Sequence, residues 1–269
     1  MADGVISQFG PWVLGGIGVV QPWLIAAFKR LRQPDVRIHE TGSLEVGYGS
    51  FGPSIGIAGT LQGLHRDVFV RRMYLQLVRS RDGATHHFDW KVFRSNTLSL
   101  SGAPPQTFEP AAGFLLRTDN PFRFNIFFVD AYFVAEHQAR VNGIPQRWEE
   151  FMAAKVEEWG DEKITVEDIR THQVASRRLF EEFFLLPEQS QAFTALDRAL
   201  YWEPGTYQLK LHLESSHPDS VFDKSWSFEL SDVDSENLRA NSVGIFRILC
   251  GLPVQWSFAY PVYQSGPDP

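Results

Sequence analysis

A long apolar stretch opens the chain. Residues 9–28 hold twenty positions without a charged side chain, and three basic residues follow directly. Twenty helical residues rise about 30 Å, which matches the hydrocarbon thickness of a bilayer. We therefore predict that residues 1–32 anchor the protein to a membrane, with indole rings and cations at its boundary. The anchor residues are Trp12, Trp23, Lys29, Arg30 and Arg32.

Glycine and proline weaken a simple spanning helix. Gly15, Gly16 and Gly18 lower helical propensity, and Pro22 removes a backbone donor and favours a kink. A kinked span, a re-entrant hairpin, an interfacial helix and a buried or intersubunit helix all fit this pattern. Because the basic residues follow the apolar run, the positive-inside rule predicts that the folded domain lies on the cytoplasmic side.

The next part of the chain has the alternation typical of β-strands. Residues 43–49 and 54–61 are rich in glycine and aliphatic residues, and a Gly-Pro turn separates them. Segments 68–79 and 85–90 predict a hairpin, because Asp82-Gly83 between them tolerates positive φ. In the first strand of this hairpin, Phe69, Met73, Leu75 and Leu77 are predicted to lie on one face. In the second strand, His86, Phe88 and Trp90 are predicted to lie on one face.

Helical periodicity replaces alternation after a further predicted strand at 122–129. Apolar residues at spacings of three and four predict an amphipathic helix over 145–159. A second helix is expected to open at the capping-box sequence 165–168 and to run to Phe184, and a third covers 188–200. The polar face of the first helix carries an acidic surface made of Glu149, Glu150, Glu157 and Glu158.

Alternation returns near the C-terminus. Residues 205–213 and 225–230 predict a second hairpin, and a helical turn is expected at 232–241. Residues 243–250 fit a strand or a helix, and 254–263 predict a last strand.

These elements predict a mainly β fold with an α insertion, of the α+β class. The strand spacing resembles an antiparallel immunoglobulin-like or arrestin-like β-sandwich, preceded here by the N-terminal apolar helix. The inserted helices are expected to cover one face or one end. The predicted parts are an anchor at 1–32, the first part of the sandwich at 35–130, the helical insertion at 131–203, the second part at 204–263 and a flexible tail at 264–269.

Composition narrows the classes of function. Residues 1–143 hold 14 basic and 11 acidic side chains, whereas residues 144–240 hold 10 and 20. The acidic middle argues against nucleic acid as a partner. The single cysteine, Cys250, excludes an internal disulfide and a cysteine-based metal cluster, and its apolar neighbours indicate a buried thiol. We expect no cofactor.

Histidines supply one candidate for a metal site. On a strand, His87 and Asp89 face the same side, while His86 faces the other. A zinc or iron site needs a third protein ligand, for which His65 or His39 is the candidate. An ordinary polar strand face explains the same residues. The chain contains no Gly-x-Ser-x-Gly elbow, no phosphate-binding loop and no pair of histidines at metalloprotease spacing.

Five arginines of the first hairpin form a basic group. They are Arg66, Arg71, Arg72, Arg79 and Arg81. They could contact lipid headgroups or an acidic partner, or serve as solvated strand residues that discourage edge aggregation. Contact with the acidic helices of a second copy would give self-assembly.

Two functions therefore remain. The first is a membrane-tethered, non-enzymatic interaction, assembly or effector module, for example a sensor or adaptor in defence or stress. The alternative is a metal-dependent hydrolase with a dispersed site around His65, His87, Asp89 and His212.

Overall fold

Strands dominate the computed structural model, which describes residues 34–49, 52–96, 106–159, 173–199, 202–216 and 219–266. The strands in these ranges are β1 (Asp35–Gly49), β2 (Gly52–Leu64), β3 (Val68–Arg79), β4 (Thr85–Asn96), β5 (Gln106–Pro110), β6 (Phe114–Leu116), β7 (Phe122–Val129), β8 (Gly205–Ser216), β9 (Ser220–Leu230), β10 (Phe258–Ala259) and β11 (Tyr263–Ser265). The helices are α1 (Ala131–Val141), α2 (Ile144–Trp159), α3 (Gln173–Phe184), α4 (Pro187–Ala199), α5 (Asp232–Arg239) and α6 (Asn241–Leu249).

All of these strands belong to one curled antiparallel sheet. Its order is β10-β1-β2-β7-β4-β3-β8-β9-β11, while β5 pairs with β4 and β6 with β3. The outermost strands β10 and β11 are close in sequence, so one C-terminal segment contacts both edges of the sheet: Ala259 pairs with Val46, and Ser265 pairs with Trp226. The predicted β-rich α+β class is confirmed. The immunoglobulin-like or arrestin-like sandwich is not confirmed, because the described strands form one sheet.

The two ends of this sheet differ. At one end, here called the helix end, β7 leads into α1, α4 leads towards β8, and β9 leads into α5. The β1–β2 and β3–β4 connections lie at the same end, since Gly49 pairs with Gly52 and Val78 with Thr85. The opposite end, here called the Asp35 end, is where β1 begins. Helices therefore gather at one end of the sheet, which is one of the two placements, a face or an end, that the sequence left open.

Alternating side chains build the core on the inner face of the sheet. In β8 the inward positions are buried, from Tyr207 to Leu213. The predicted inner face of β7, from Phe122 to Phe128, is likewise directed to the core. Burial of alternate apolar residues in paired strands is the main favourable term for such a sheet.

One face assignment in β3 was wrong. Phe69 is 41% exposed, whereas Val68, Val70 and Met73 are fully buried. The register against β8 shifts between Val70 and Arg72, which is a β-bulge. A bulge adds one residue to one strand, so the alternation changes phase there. Phe69 therefore lies on the outer face, and Met73 resumes the inner one.

Both predicted hairpins are confirmed. In the β3–β4 turn, Gly83 has φ +71, and Asp82 accepts two hydrogen bonds from the Arg79 guanidinium. The β8–β9 pairing runs from Gly205 opposite Leu230 to Ser215 opposite Ser220. Local turn chemistry and alternation were sufficient to predict these two units.

The helices pack through aromatic side chains. The ring centroids of Trp148 and Phe183 are 5.2 Å apart, and those of Phe193 and Phe246 are 5.6 Å apart. The predicted helices at 145–159 and 188–200 are confirmed, and α3 confirms the second half of the one ending at Phe184. Its expected start at 165–168 lies outside the described residues. The sequence analysis missed helix α1, and the ambiguous segment 243–250 is helix α6 over most of its length.

The predicted last strand over 254–263 was wrong in extent. Only Phe258–Ala259 and Tyr263–Ser265 pair as strands. Pro261 lies between them and has no amide proton to donate, so it interrupts the ladder where the segment passes from β1 to β9.

None of the described helices has both the length and the apolar character that a bilayer-spanning helix requires. The predicted anchor over residues 1–32 lies outside the described residues, and so it stays a prediction.

Candidate functional site

A cleft of about 620 Å³ opens at the helix end, between the sheet and two of the helices. Its walls come from the start of β4, the end of β7, helix α1 and the end of helix α4. The residues that line it are His86, Asp130, Tyr132, Phe133, Glu136, His137, Ala195, Arg198 and Ala199. The volume lies within the range of small-molecule sites, and polar and aromatic groups converge on it.

Asp130 joins the sheet to the helix at the floor of this cleft. It is only 4% exposed, and its Oδ1 accepts a hydrogen bond of 3.0 Å from the Phe133 amide, which caps the first turn of α1. Its own amide donates to the Pro53 carbonyl at 3.1 Å. Its Oδ2 lies 3.9 Å from Nδ1 of His86. These contacts position the carboxylate beside the imidazole of His86.

His86 reaches the cleft from the inner face of β4. Burial lowers the pKa of its imidazole, and the nearby Asp130 carboxylate only partly opposes this effect. The neutral ring is therefore favoured at neutral pH. The other histidine of the cleft, His137, is 6% exposed, and its ring centroid lies 4.5 Å from that of Phe133.

Two further charged side chains, Glu136 and Arg198, line the cleft. Glu136 comes from α1 and Arg198 from the last turn of α4. Within the part of the chain that the structure describes, neither side chain has a hydrogen-bond or ion-pair partner. The lining of the cleft thus includes one acidic side chain from α1 and one basic side chain from α4.

A second polar array crosses the outer face of the sheet. Asp89, Tyr74, His212 and Asp223 lie directly opposite one another on β4, β3, β8 and β9. The rings of Tyr74 and His212 stack with centroids 4.6 Å apart, and His212 Nδ1 lies 2.7 Å from Asp223 Oδ1. Contacts within the protein therefore use much of the hydrogen-bonding capacity of this row.

The predicted metal ligands fall partly on this face. His87 and Asp89 do share the outer face of β4, and His212 lies two strands from Asp89. His65 instead occupies the turn after β2, with φ +69, and His39 is on β1. No group of three or more His, Cys, Asp or Glu side chains arranged to bind a metal occurs among the described residues.

Most of the predicted arginine group is paired with carboxylates of the same chain. Arg71 contacts Glu214 at 3.4 Å and Asp219 at 3.5 Å, and Arg72 contacts Asp89 at 2.9 Å. The remaining ion pairs join Arg79 to Asp82 and Glu203, and Arg81 to Glu203. Buried Nε of Arg66 has no hydrogen-bond partner in the described part of the chain. The group is therefore not a continuous, uncompensated basic surface.

The other predicted site residues fall into two sets. The acidic surface is exposed on α2, at Glu149, Glu150, Glu157 and Glu158. The anchor residues Trp12, Trp23, Lys29, Arg30 and Arg32 lie outside the described residues.

The sequence analysis missed the cleft, although the sequence contained two signals for it. His86 was assigned to the inner face of β4, opposite to His87, and that assignment is confirmed. An aspartate after an apolar strand is also a typical N-cap, so Asp130 marked the start of α1. The meeting of these residues with α4, more than fifty positions later, required the tertiary structure.

Comparisons with protein-family models, with curated proteins and with solved structures gave no match to this chain.

Proposed function

We propose that this protein is a non-enzymatic interaction module, held at a membrane by its N-terminal segment, that recognises its ligand or partner at the helix end. The observation that carries the proposal is the direction of β1. This strand begins at Asp35, seven positions after the last residue of the apolar run 9–28, and ends at Gly49 at the helix end. The tether and the cleft would therefore lie at opposite ends of one sheet.

The length of β1 gives this arrangement a scale. Fifteen strand residues extend roughly 45 to 50 Å, less the shortening caused by the bulge and by strand tilt. A tether before Asp35 would keep the Asp35 end near the bilayer and hold the cleft in the aqueous phase. The uncharged run at 9–28 and the cations that follow it support this orientation, with the folded domain in the cytoplasm.

Surface charge supports a role in recognition. The four glutamates of α2 are exposed, and in the proposed orientation the helix end lies away from the bilayer. A basic partner, or the arginines of a second copy, would complement them.

At the Asp35 end, the outer face carries the directly opposed apolar pair Phe69 and Leu115, which are 41% and 47% exposed. This pair is suited to contact with a lipid headgroup region.

A metal-dependent hydrolase is the second candidate, because His87, Asp89 and His212 share the outer face of neighbouring strands. Metal analysis of the purified chain discriminates between the two functions. Stoichiometric zinc, iron or manganese that is lost in His87→Ala would favour the hydrolase. Metal content that does not depend on His87 would favour the interaction module.

Fractionation tests the tether. The full chain and a version lacking residues 1–32 are expressed in parallel, and their membranes are washed with carbonate and then with detergent. We expect only the full chain to resist carbonate and to be released by detergent. If both chains are soluble, residues 12–28 are not an anchor, and the proposed localisation fails.

Labelling tests the orientation. In a Cys250→Ser background, a cysteine introduced at Ala195 would report on the cleft side, and one introduced at Leu115 on the Asp35 end. We expect a membrane-impermeant maleimide to label the Ala195 site only when the cytoplasmic side is accessible. Protection of this site in such vesicles, with labelling from the opposite side, would contradict the proposed side.

A further inference from the structure

We propose that the cleft at the helix end binds a small zwitterion with an apolar side group, the chemistry of a free amino acid. This inference rests on the proposed recognition role of the helix end and specifies its ligand class.

Charge is the first argument. Glu136 on α1 and Arg198 on α4 line the same cleft from different helices, and neither has an ionic partner among the described residues. A ligand with only one charge would satisfy only one of them. A zwitterion supplies an ammonium group for the carboxylate and a carboxylate for the guanidinium, and such charge-assisted hydrogen bonds are the strong ones.

The floor of the cleft sets the direction in which the ligand lies. Asp130 adds a second, buried negative charge at the junction of β7 and α1, close to Glu136 in sequence. Burial lowers the pKa of the adjacent His86 imidazole, which favours its neutral form. The β7–α1 wall is therefore acidic, and the α4 wall is basic at Arg198. The ammonium group of the ligand accordingly faces α1, and its carboxylate faces α4.

The remaining lining explains the apolar side group. Tyr132 and Phe133 project from the first turn of α1, and Ala195 and Ala199 lie one helical turn apart on α4. Small side chains on one wall and rings on the other leave about 620 Å³ of space. An aromatic side group fills more of this volume and buries more apolar surface than glycine would.

Isothermal titration of the full chain in detergent tests the ligand class. The probes are L-phenylalanine and two analogues that each lack one charge: 3-phenylpropionate, without the ammonium group, and 2-phenylethylamine, without the carboxylate. We expect L-phenylalanine to bind about tenfold or more tightly than either analogue, since a charge-assisted hydrogen bond corresponds to at least that ratio. Equal affinities for the three probes, or no binding of L-phenylalanine, would overturn the proposal.

Four variants assign the two charges. Arg198→Gln should weaken binding of L-phenylalanine about tenfold or more and leave 2-phenylethylamine unaffected. Glu136→Gln should weaken L-phenylalanine similarly and leave 3-phenylpropionate unaffected. The matched controls are Arg178→Gln and Glu150→Gln, which remove exposed charges outside the cleft. If the control variants weaken binding as much as the cleft variants do, the site is not the cleft.

A fifth variant tests the location by shape. Ala195→Leu adds three carbon atoms to the cleft wall at a half-buried position and should reduce the affinity for all three probes. Unchanged affinity would contradict the assigned position.

Circular dichroism and unfolding of each variant identify any change in fold. Resistance of membrane association to carbonate is measured on the same proteins. If the protein stays at the membrane but does not bind the ligand, only the proposed ligand class is wrong. If the protein binds the ligand but does not stay at the membrane, only the proposed tether is wrong.

Discussion

Arg94 and Glu45 form a bidentate ion pair across two intervening strands. Nη1 and Nη2 of Arg94 donate to Oε1 and Oε2 of Glu45 at 3.0 and 2.7 Å. Glu45 lies on β1 and Arg94 on β4, while β2 and β7 run between them. The guanidinium carbon lies 4.5 Å from the centroid of the Phe127 ring on β7. The side chains are 8% and 14% exposed, so this pair links four strands in a largely desolvated setting.

Breaking this pair on one side should destabilise the protein. We expect Arg94→Ala to lower the free energy of unfolding by about 3 kcal/mol, because it leaves the Glu45 carboxylate buried without its partner. Glu45→Ala/Arg94→Ala together should cost less than the sum of the single changes. A double-mutant cycle in denaturant measures the coupling. Arg72→Ala, at an ion pair whose side chains are both about half exposed, is the control and should cost less than about 1 kcal/mol. Additive effects at Glu45 and Arg94 would show that the pair is not coupled.

Gly56 leaves the space that this ion pair needs. A Cβ atom at this position would lie 2.9 Å from Cε2 of Phe127 and 3.3 Å from Cβ of Glu45. We expect Gly56→Ala to lower the free energy of unfolding by roughly 1 to 3 kcal/mol through overpacking. The same change in the Glu45→Ala/Arg94→Ala background should cost less, since Phe127 can then move. If Gly56→Ala lowers the free energy of unfolding equally in both backgrounds, the strain does not arise from its contact with Phe127 and Glu45.

His86 should make stability depend on pH. Burial lowers its pKa in the folded protein, so the unfolded chain binds a proton first as the pH falls. Stability from this group is present above the unfolded pKa of about 6.5 and is lost as the pH falls below it. Denaturant unfolding between about pH 5 and 7.5 measures the slope. His86→Gln should have a shallower slope than the parent, and identical slopes would rule out His86 as the cause.

Cys250 should resist thiol reagents in the folded protein. It is 6% exposed, and burial raises its pKa to about 12, so almost no thiolate forms near pH 8. As the single cysteine, it gives an unambiguous signal with a chromogenic disulfide reagent. We expect slow labelling in buffer and rapid labelling in denaturant. Rapid labelling of the native chain would show that the α6 region opens readily.

Charge reversal in the basic hairpin tests its role in assembly. Arg71→Glu/Arg72→Glu should weaken self-association or partner capture without unfolding the domain, because their ion pairs are at least partly exposed and contribute little to stability. Sedimentation and crosslinking give the readout. Arg177→Glu, exposed on α3, is the matched control. Association that does not change would remove the hairpin from the proposed contact surface.

Prediction from the sequence was accurate where the decisive interactions are local. The β3–β4 hairpin follows from Asp82-Gly83 and the alternation on each side, and α2 follows from its apolar spacing. It was wrong for Phe69, since a bulge is produced by pairing between strands and leaves no clear mark in one of them. It overextended the last strand, where Pro261 interrupts the change of partner from β1 to β9.

The sequence by itself determined the β-rich α+β class, the two hairpins, the outer placement of His87 and Asp89, and the buried state of Cys250. Each of these depends on neighbours within a few positions, through periodicity or turn chemistry. Only the tertiary structure decided that one curled sheet forms, that Arg94 reaches Glu45, and that Arg198 meets Asp130 in a cleft. Arg94 and Glu45 are 49 positions apart, and Asp130 and Arg198, which line one cleft, are 68 apart. Their placement depends on strand order and helix packing, which no local pattern specifies.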